Sequence, residues 1–281
     1  MGIPMDIEDI LADLKQAGGS AAETAHKFIL EIRDLDRERG ANLARLPHLL
    51  DKLERHLEKT NFPHREETRV WLTDYRDEFN HWATVARQRF GSELADALQS
   101  LNITLQGQIP LLRAGLFVIE LQAGQNKVAL WYGPQQERLG EAPMQAIEVC
   151  KRIERLRKGL GSSLDPHTFV GKLEEALRRI PPIQGQRGIP IGLVLPEVAF
   201  LVQSATFFSN PVRENYRSYS RADFSYDLFR CAEEVQFRKR FQLVVATRMH
   251  TARKTDYLWV PSDLSGRGST YSHIIAEEVR P

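Results

Sequence analysis

Cysteine is almost missing from this sequence: Cys150 and Cys231 are the only two in 281 residues. That scarcity excludes a disulfide framework and a thiolate zinc cluster, both of which need several cysteines. Cys150 shares a helical face with Ala146, Ile153 and Leu156, and Cys231 follows Phe224 and Leu228, so both read as buried thiols acting as small hydrophobes. Long apolar runs are missing too, which leaves no candidate membrane span. The opening residues MGIPMDIEDILADL are acidic where a secretory leader is basic, and Asp6 stands where a myristoylation signal carries Ser or Thr. A cytoplasmic protein is the expectation.

Motifs that carry chemistry are equally scarce. There is no phosphate-binding loop, no paired-histidine zinc helix and no nucleophile elbow. No cofactor and no metal are expected on these grounds. Hydrophobic residues make up 42% and charged residues 27%, a balance that supports a packed core and argues against disorder.

What the sequence does have is an uneven spread of charge. Residues 1–150 hold 17 Lys+Arg against 23 Asp+Glu, whereas residues 151–281 hold 21 against 14. A formal net charge of +1 therefore hides an acidic front and a basic rear.

The acidic front reads as helix. Ile7, Ile10, Leu11 and Leu14 form one face of a helix over 6–17, closed by Gly18 and Gly19. A second helix starts at Ser20 or Ala21 and runs toward Gly40. Leu43, Leu46, Leu50, Leu53 and Leu57 follow spacings of three and four and so make a narrow seam, in which Pro47 predicts a kink or a fresh start. Pro63 with Glu66 and Glu67 predicts another N-terminus, the proline taking the first helical position. From Tyr75 to Leu101 the period persists, which makes this the longest helix. The seams suit an antiparallel bundle within the chain, with docking of a partner helix or a second copy as the alternative.

After Pro110 the period changes from 3.6 to 2. Residues 116–122 and 127–132, joined across Ala123, Gly124, Gln125 and Asn126, predict a β-hairpin in which Val128 and Leu130 cover Phe117, Ile119 and Leu121. Helices follow over 142–159 and 166–180, the second capped by Asp165 and opened by Pro166. Residues 181–190 predict a loop and Ile191 to Leu195 a strand, while 197–203 suits either strand or helix. A long surface loop over 206–222 leads to a helix near 223–239, opened by Ser220 and Asp223 as a capping box. Strands around 241–249, 256–260 and 270–279 close the chain. The expected fold class is α+β: a helical bundle or short coiled-coil region over 1–108, then a mixed domain with antiparallel strands over 109–281.

The basic rear concentrates between Phe207 and Lys254, where arginines and aromatics interleave. Cations neutralise phosphates and flat rings stack on unpaired bases, so Arg213, Tyr216, Arg217, Tyr219, Arg221 and Arg230 are candidate contacts for nucleic acid or an acidic partner. Arg238, Lys239, Arg240, Arg248, Arg253 and Lys254 extend the group. The competing reading is structural: rings anchoring a loop and arginines completing helix ends. The expected function is a non-enzymatic subunit or adaptor of a cytoplasmic assembly. Its helical region would bind a protein partner or second copy, and its basic region DNA or RNA.

An enzymatic alternative needs a site assembled from distant residues such as Glu120, Asp223, His250 and Asp256. A metal-dependent nuclease hairpin wants an acid-x-Lys triplet, but Glu120 is followed by Leu121 and Gln122. His250 and His273 approach each other if their strands pair, and Asp256 or Asp263 would complete a polar cluster. Gly266 and Gly268 around Arg267 offer an anion-binding nest, although such a pair is more often a turn.

Overall fold

Apolar residues at helical spacing build the first of three cores. The computed structural model describes residues 6–40, 42, 43, 45–122, 125–181, 183 and 187–276. Its first four helices are α1 (Ile7–Ala17), α2 (Ser20–Asp36), α3 (Arg45–Lys59) and α4 (Arg65–Gln99). Asp6 caps α1, and Gly18 leaves it with φ of 63°. Pro47 lies in the first turn of α3, where a missing N–H breaks no helical bond, so the proline marks a fresh start. Pro63 precedes α4 instead of opening it, because His64, with φ of 65°, makes the turn into the helix. Leu46, Leu50, Leu53 and Leu57 are buried with Ile10, Leu14, Ile29, Ile32, Trp71, Leu72 and Phe79, so the leucine seam is covered from within the chain.

Helix α4 serves two cores. Its first half enters the bundle through Ala83, and its second half enters the next core through Phe90, Leu94 and Leu98. None of residues 84–89 between them is buried. At 1.5 Å per residue the helix is roughly 50 Å long, enough to reach from one core to the other.

A five-stranded antiparallel meander forms the second core: β1 (Leu105–Gln108), β2 (Leu111–Ala114), β3 (Phe117–Leu121), β4 (Lys127–Tyr132) and β5 (Glu137–Pro143). Ile119 pairs with Leu130 and Leu121 with Val128, the register that the alternation predicts. Ala123 and Gly124 of the expected joint lie outside the described residues. Strands β1, β2 and β5 carry no apolar alternation strong enough to announce them. Helix α5 (Ala146–Gly159) covers this sheet, and α6 (Pro166–Arg179) follows with the Asp165 carboxylate accepting from the Thr168 amide at 3.0 Å.

The third core holds α6, α7 (Ile191–Leu201) and α9 (Arg221–Cys231) against a second antiparallel sheet. The strand expected over Ile191 to Leu195 is the start of α7, preceded by the two-residue β6 (Ile189–Pro190). An apolar run of this length fits a buried helix as well as a strand, and Ile191, Val194, Val198 and Leu201 meet the core at helical spacing. The expected loop over 206–222 contains the end of α8 (Ala205–Ser209) and a single 3-10 turn at Arg213–Asn215. The helix expected near 223–239 breaks after Cys231 and resumes as α10 (Val235–Arg240). The sheet comprises β6, β7 (Phe241–Val245), β8 (Leu258–Pro261) and β9 (Gly268–Ala276), with β9 between β7 on one side and β6 and β8 on the other. Residues 182 and 184–186 of the expected loop and 277–279 of the expected last strand lie outside the described residues. The fold is thus α+β, with N-terminal helices preceding antiparallel sheets. Among the described residues no helix is long and apolar enough to cross a membrane.

Candidate nucleic-acid interface

Gln203, absent from the sequence-based candidates, holds the basic segment in place. Its buried side chain accepts from the Arg217 amide at 2.9 Å and donates to the Arg217 carbonyl at 3.0 Å, fixing an extended stretch as a strand partner would. A buried amide far from any motif gives no signal in the sequence. Beyond it, Ser220 and Asp223 form the expected capping box and start α9.

Most of the candidate contacts are engaged inside the protein. Tyr219 is buried, and its hydroxyl donates to Asp227 at 2.7 Å, which removes the ring from any ligand. Arg221 meets Glu137 at 2.6 Å and also donates to the Tyr257 carbonyl, while Lys254 reaches the same glutamate at 3.1 Å. Arg230 pairs with Asp227 and donates to the Leu164 carbonyl at 3.0 Å. Arg240 pairs with Glu174 at 2.6 Å, Arg238 pairs with Glu233, and Arg217 donates to the Gly161 carbonyl at 2.9 Å. These six cations, like Tyr219, are engaged within the chain.

Arg213, Lys239, Arg248 and Arg253 are different: all are exposed, and none has an acidic partner among the described residues. Arg248 and Arg253 share the loop between β7 and β8, which also exposes Met249 almost completely. Tyr216 is half-exposed and packs edge-on against Phe207, with ring centroids 5.7 Å apart. Phe208 and Phe200 continue that aromatic surface, and Arg179 lies over Phe200 at 5.8 Å.

The same loop borders an open cavity of about 470 Å³ between its own Thr255 and Asp256, the start of α7 at Pro190, Gly192 and Leu193, and Ser272 of β9. His250 and His273 both line it, with ring centroids 5.2 Å apart and planes at 81°. The sequence expectation that these two histidines approach each other is therefore met, with Asp256 on the same wall. Thr247 Oγ1 lies 3.0 Å from His250 Nδ1, and Ser272 Oγ lies 2.9 Å from His273 Nδ1. Burial, then the neighbouring His250, lowers the pKa of His273. The wall made by α7 is missing from a sequence reading that takes this segment for a strand.

No family model, curated protein or solved structure matches this chain. The site must be argued from its own geometry. The four residues of the enzymatic alternative do not assemble: Glu120 accepts from Trp131 Nε1 at 2.8 Å on the first sheet, Asp223 caps α9, and only His250 and Asp256 share a wall. Among the described residues no three His, Cys, Asp or Glu side chains form a group able to hold a metal ion. The turn around Gly266 is filled by the chain itself, because Asp263 accepts from the Ser265 amide at 2.8 Å and pairs with Arg267 at 2.6 Å. The Ser265 and Arg267 contacts bring the Asp263 pKa down to about 2. Cys231 is buried, which pushes its thiol up to about 12, while Cys150 is half-buried and also raised by burial.

Proposed function

We propose that this chain is a binding subunit of a larger assembly that takes DNA or RNA on its basic C-terminal region. Its helical region would dock it to a protein partner or a second copy. The observation that supports this reading most is the separation of the cations into two groups. Arg221, Arg230, Arg240 and Lys254 are spent on internal acids, whereas Arg248 and Arg253 on one loop, Arg213 on the turn before α9 and Lys239 on α10 have no acidic partner among the described residues. Free cations keep their full value for phosphates, and counterion release makes such binding salt-dependent. The half-exposed Tyr216 and Phe208 add faces on which unpaired bases stack.

Fluorescence anisotropy with labelled single- and double-stranded oligonucleotides tests this directly. Binding should weaken steeply between about 50 and 200 mM salt, and replacing Arg213, Lys239, Arg248 and Arg253 together by alanine should flatten that dependence. Retention of neither DNA nor RNA at low salt would end the nucleic-acid reading. Light scattering across the same salt series reports any second copy bound through the helices.

A further inference from the structure

We propose that the His250–His273 cavity cleaves single-stranded RNA by transphosphorylation, the 2′-hydroxyl of one nucleotide displacing the 5′-oxygen of the next. The inference rests on the nucleic-acid reading above and adds a reaction to it.

Such cleavage needs a base beside the 2′-hydroxyl, an acid beside the departing oxygen, and positive charge near the phosphate. The cavity holds the two imidazoles beside Asp256, and the loop that carries His250 also carries the exposed Arg248 and Arg253. Both imidazoles line the same space, and each has its Nδ1 against a hydroxyl, of Thr247 at 3.0 Å and of Ser272 at 2.9 Å. Nε2 is thereby the ring nitrogen left for proton exchange on either histidine. Ser272 is fully buried, and its hydroxyl points toward the Val244 carbonyl at 3.5 Å, which leaves its oxygen to accept from His273 Nδ1–H. That tautomer presents the Nε2 lone pair, which is what a base requires. Two imidazoles 5.2 Å apart disfavour a second proton once the first is bound, so the pair divides into one base and one acid. The Ser272 contact, which turns the His273 Nε2 lone pair to the cavity, assigns His273 as the base, and the lowering of its pKa by burial agrees.

The step balances without a co-reactant. His273 Nε2 takes the 2′-hydroxyl proton, and the O2′–P bond forms. The P–O5′ bond breaks as the His250 imidazolium gives its proton to O5′. The products are a 2′,3′-cyclic phosphate and a 5′-hydroxyl, and proton exchange with water resets the pair. Arg248, two positions before His250, and Arg253 supply positive charge from the same loop. A volume of about 470 Å³ lies within the usual range of ligand cavities, roughly 300–1,000 Å³.

The test incubates purified full-length protein with a labelled single-stranded RNA, the same sequence as DNA, and both in the presence of EDTA. The expected result is EDTA-resistant cleavage of RNA alone, ending in 2′,3′-cyclic phosphate. His250→Gln, on the loop surface, and His273→Gln should each slow it by about 10²–10⁴-fold with RNA affinity retained. The rate should be bell-shaped in pH. The charged groups of this loop are Asp256, Arg248, Arg253 and Lys254, while the Pro190, Gly192 and Leu193 wall and β7 contribute none. RNA that binds without being cleaved, or DNA that binds where RNA does not, overturns this inference and leaves the binding reading standing, whereas absence of binding to both RNA and DNA removes both. Cleavage that persists in both variants, that also cuts DNA, or that EDTA abolishes overturns it as well.

Discussion

The Tyr219 hydroxyl and the Ser162 amide both donate to one carboxylate oxygen of Asp227, each at 2.7 Å. The other oxygen accepts from Arg230, so a fully buried carboxylate has its hydrogen bonds satisfied from three directions. Burial and the Asp227 charge raise the Tyr219 pKa far above its ordinary value, and the ring stays neutral. Removing the carboxylate would strand Arg230 and two donors. We expect Asp227→Ala to cost about 3–5 kcal/mol and Tyr219→Phe about 1.5–3 kcal/mol, measured by urea unfolding. A Tyr219→Phe protein of unchanged stability but weakened nucleic-acid binding would reverse the structural assignment of this ring.

The two groups of cations should separate in parallel assays. Arg221→Ala breaks a pair whose side chains are both mostly buried, and it unties β5 from the segment leading into β8. Its melting temperature should fall while affinity per intact molecule holds. Arg248→Ala and Arg253→Ala should leave melting unchanged and lower the slope of log affinity against log salt by about one for each phosphate that is no longer neutralised. Equal salt slopes in all three proteins would show that this loop touches no phosphate.

The bundle has its own pH dependence. Asp36 accepts from Arg39 at 2.5 Å and from Tyr75 at 2.5 Å; burial pushes its pKa upward, but these hydrogen bonds outweigh it and hold the carboxyl below 3.8. A group depressed in the folded state contributes stability above its unfolded pKa and loses it as pH falls through the folded value. Unfolding midpoints should therefore drop as the solution is acidified below about pH 4, and Asp36→Asn should remove part of that drop. If wild type and variant show parallel midpoints from pH 6 to about pH 2, the network adds nothing to acid stability.

Local chemistry is what the sequence displays clearly. Asp165 before Pro166, Ser220 with Asp223, Pro47 in a first turn and the β3–β4 register all depend on residues close together in the chain. Strands β1, β2 and β5 do not show themselves, since four-residue strands and a strand carrying Gly140 gain their stability from neighbours instead of from pattern. The basic segment is visible as a cluster, but its division into paired and free cations is not. Arg221 finds Glu137 at a separation of 84 residues and Arg240 finds Glu174 at 66, distances that no spacing rule spans. The His250–His273 approach is expected from a strand reaching to 249, but β7 ends at Val245 and pairs Val244 with His273, so His250 meets His273 from the 3-10 turn that follows, and the cavity around them requires α7 to be helical.

Gly192 joins that cavity to the helix behind it. In the first turn of α7 an alanine should ordinarily be better than glycine by about 0.5–1 kcal/mol, since glycine loses more backbone freedom on folding. Here a Cβ would collide with the backbone carbonyl of Thr255, which cannot turn aside as a flexible side chain would. Thr255 and the adjoining Asp256 stand on the 3-10 turn at Lys254–Asp256, so relief of the clash must shift that turn or the start of α7. The steric term should win over propensity. We expect Gly192→Ala to be destabilising and to move the imidazole resonances of His250 and His273 in NMR spectra, with the bundle resonances unmoved. A Gly192→Ala protein that gains the ordinary helical increment with both histidine signals unchanged would show that α7 does not press on the wall of this cavity.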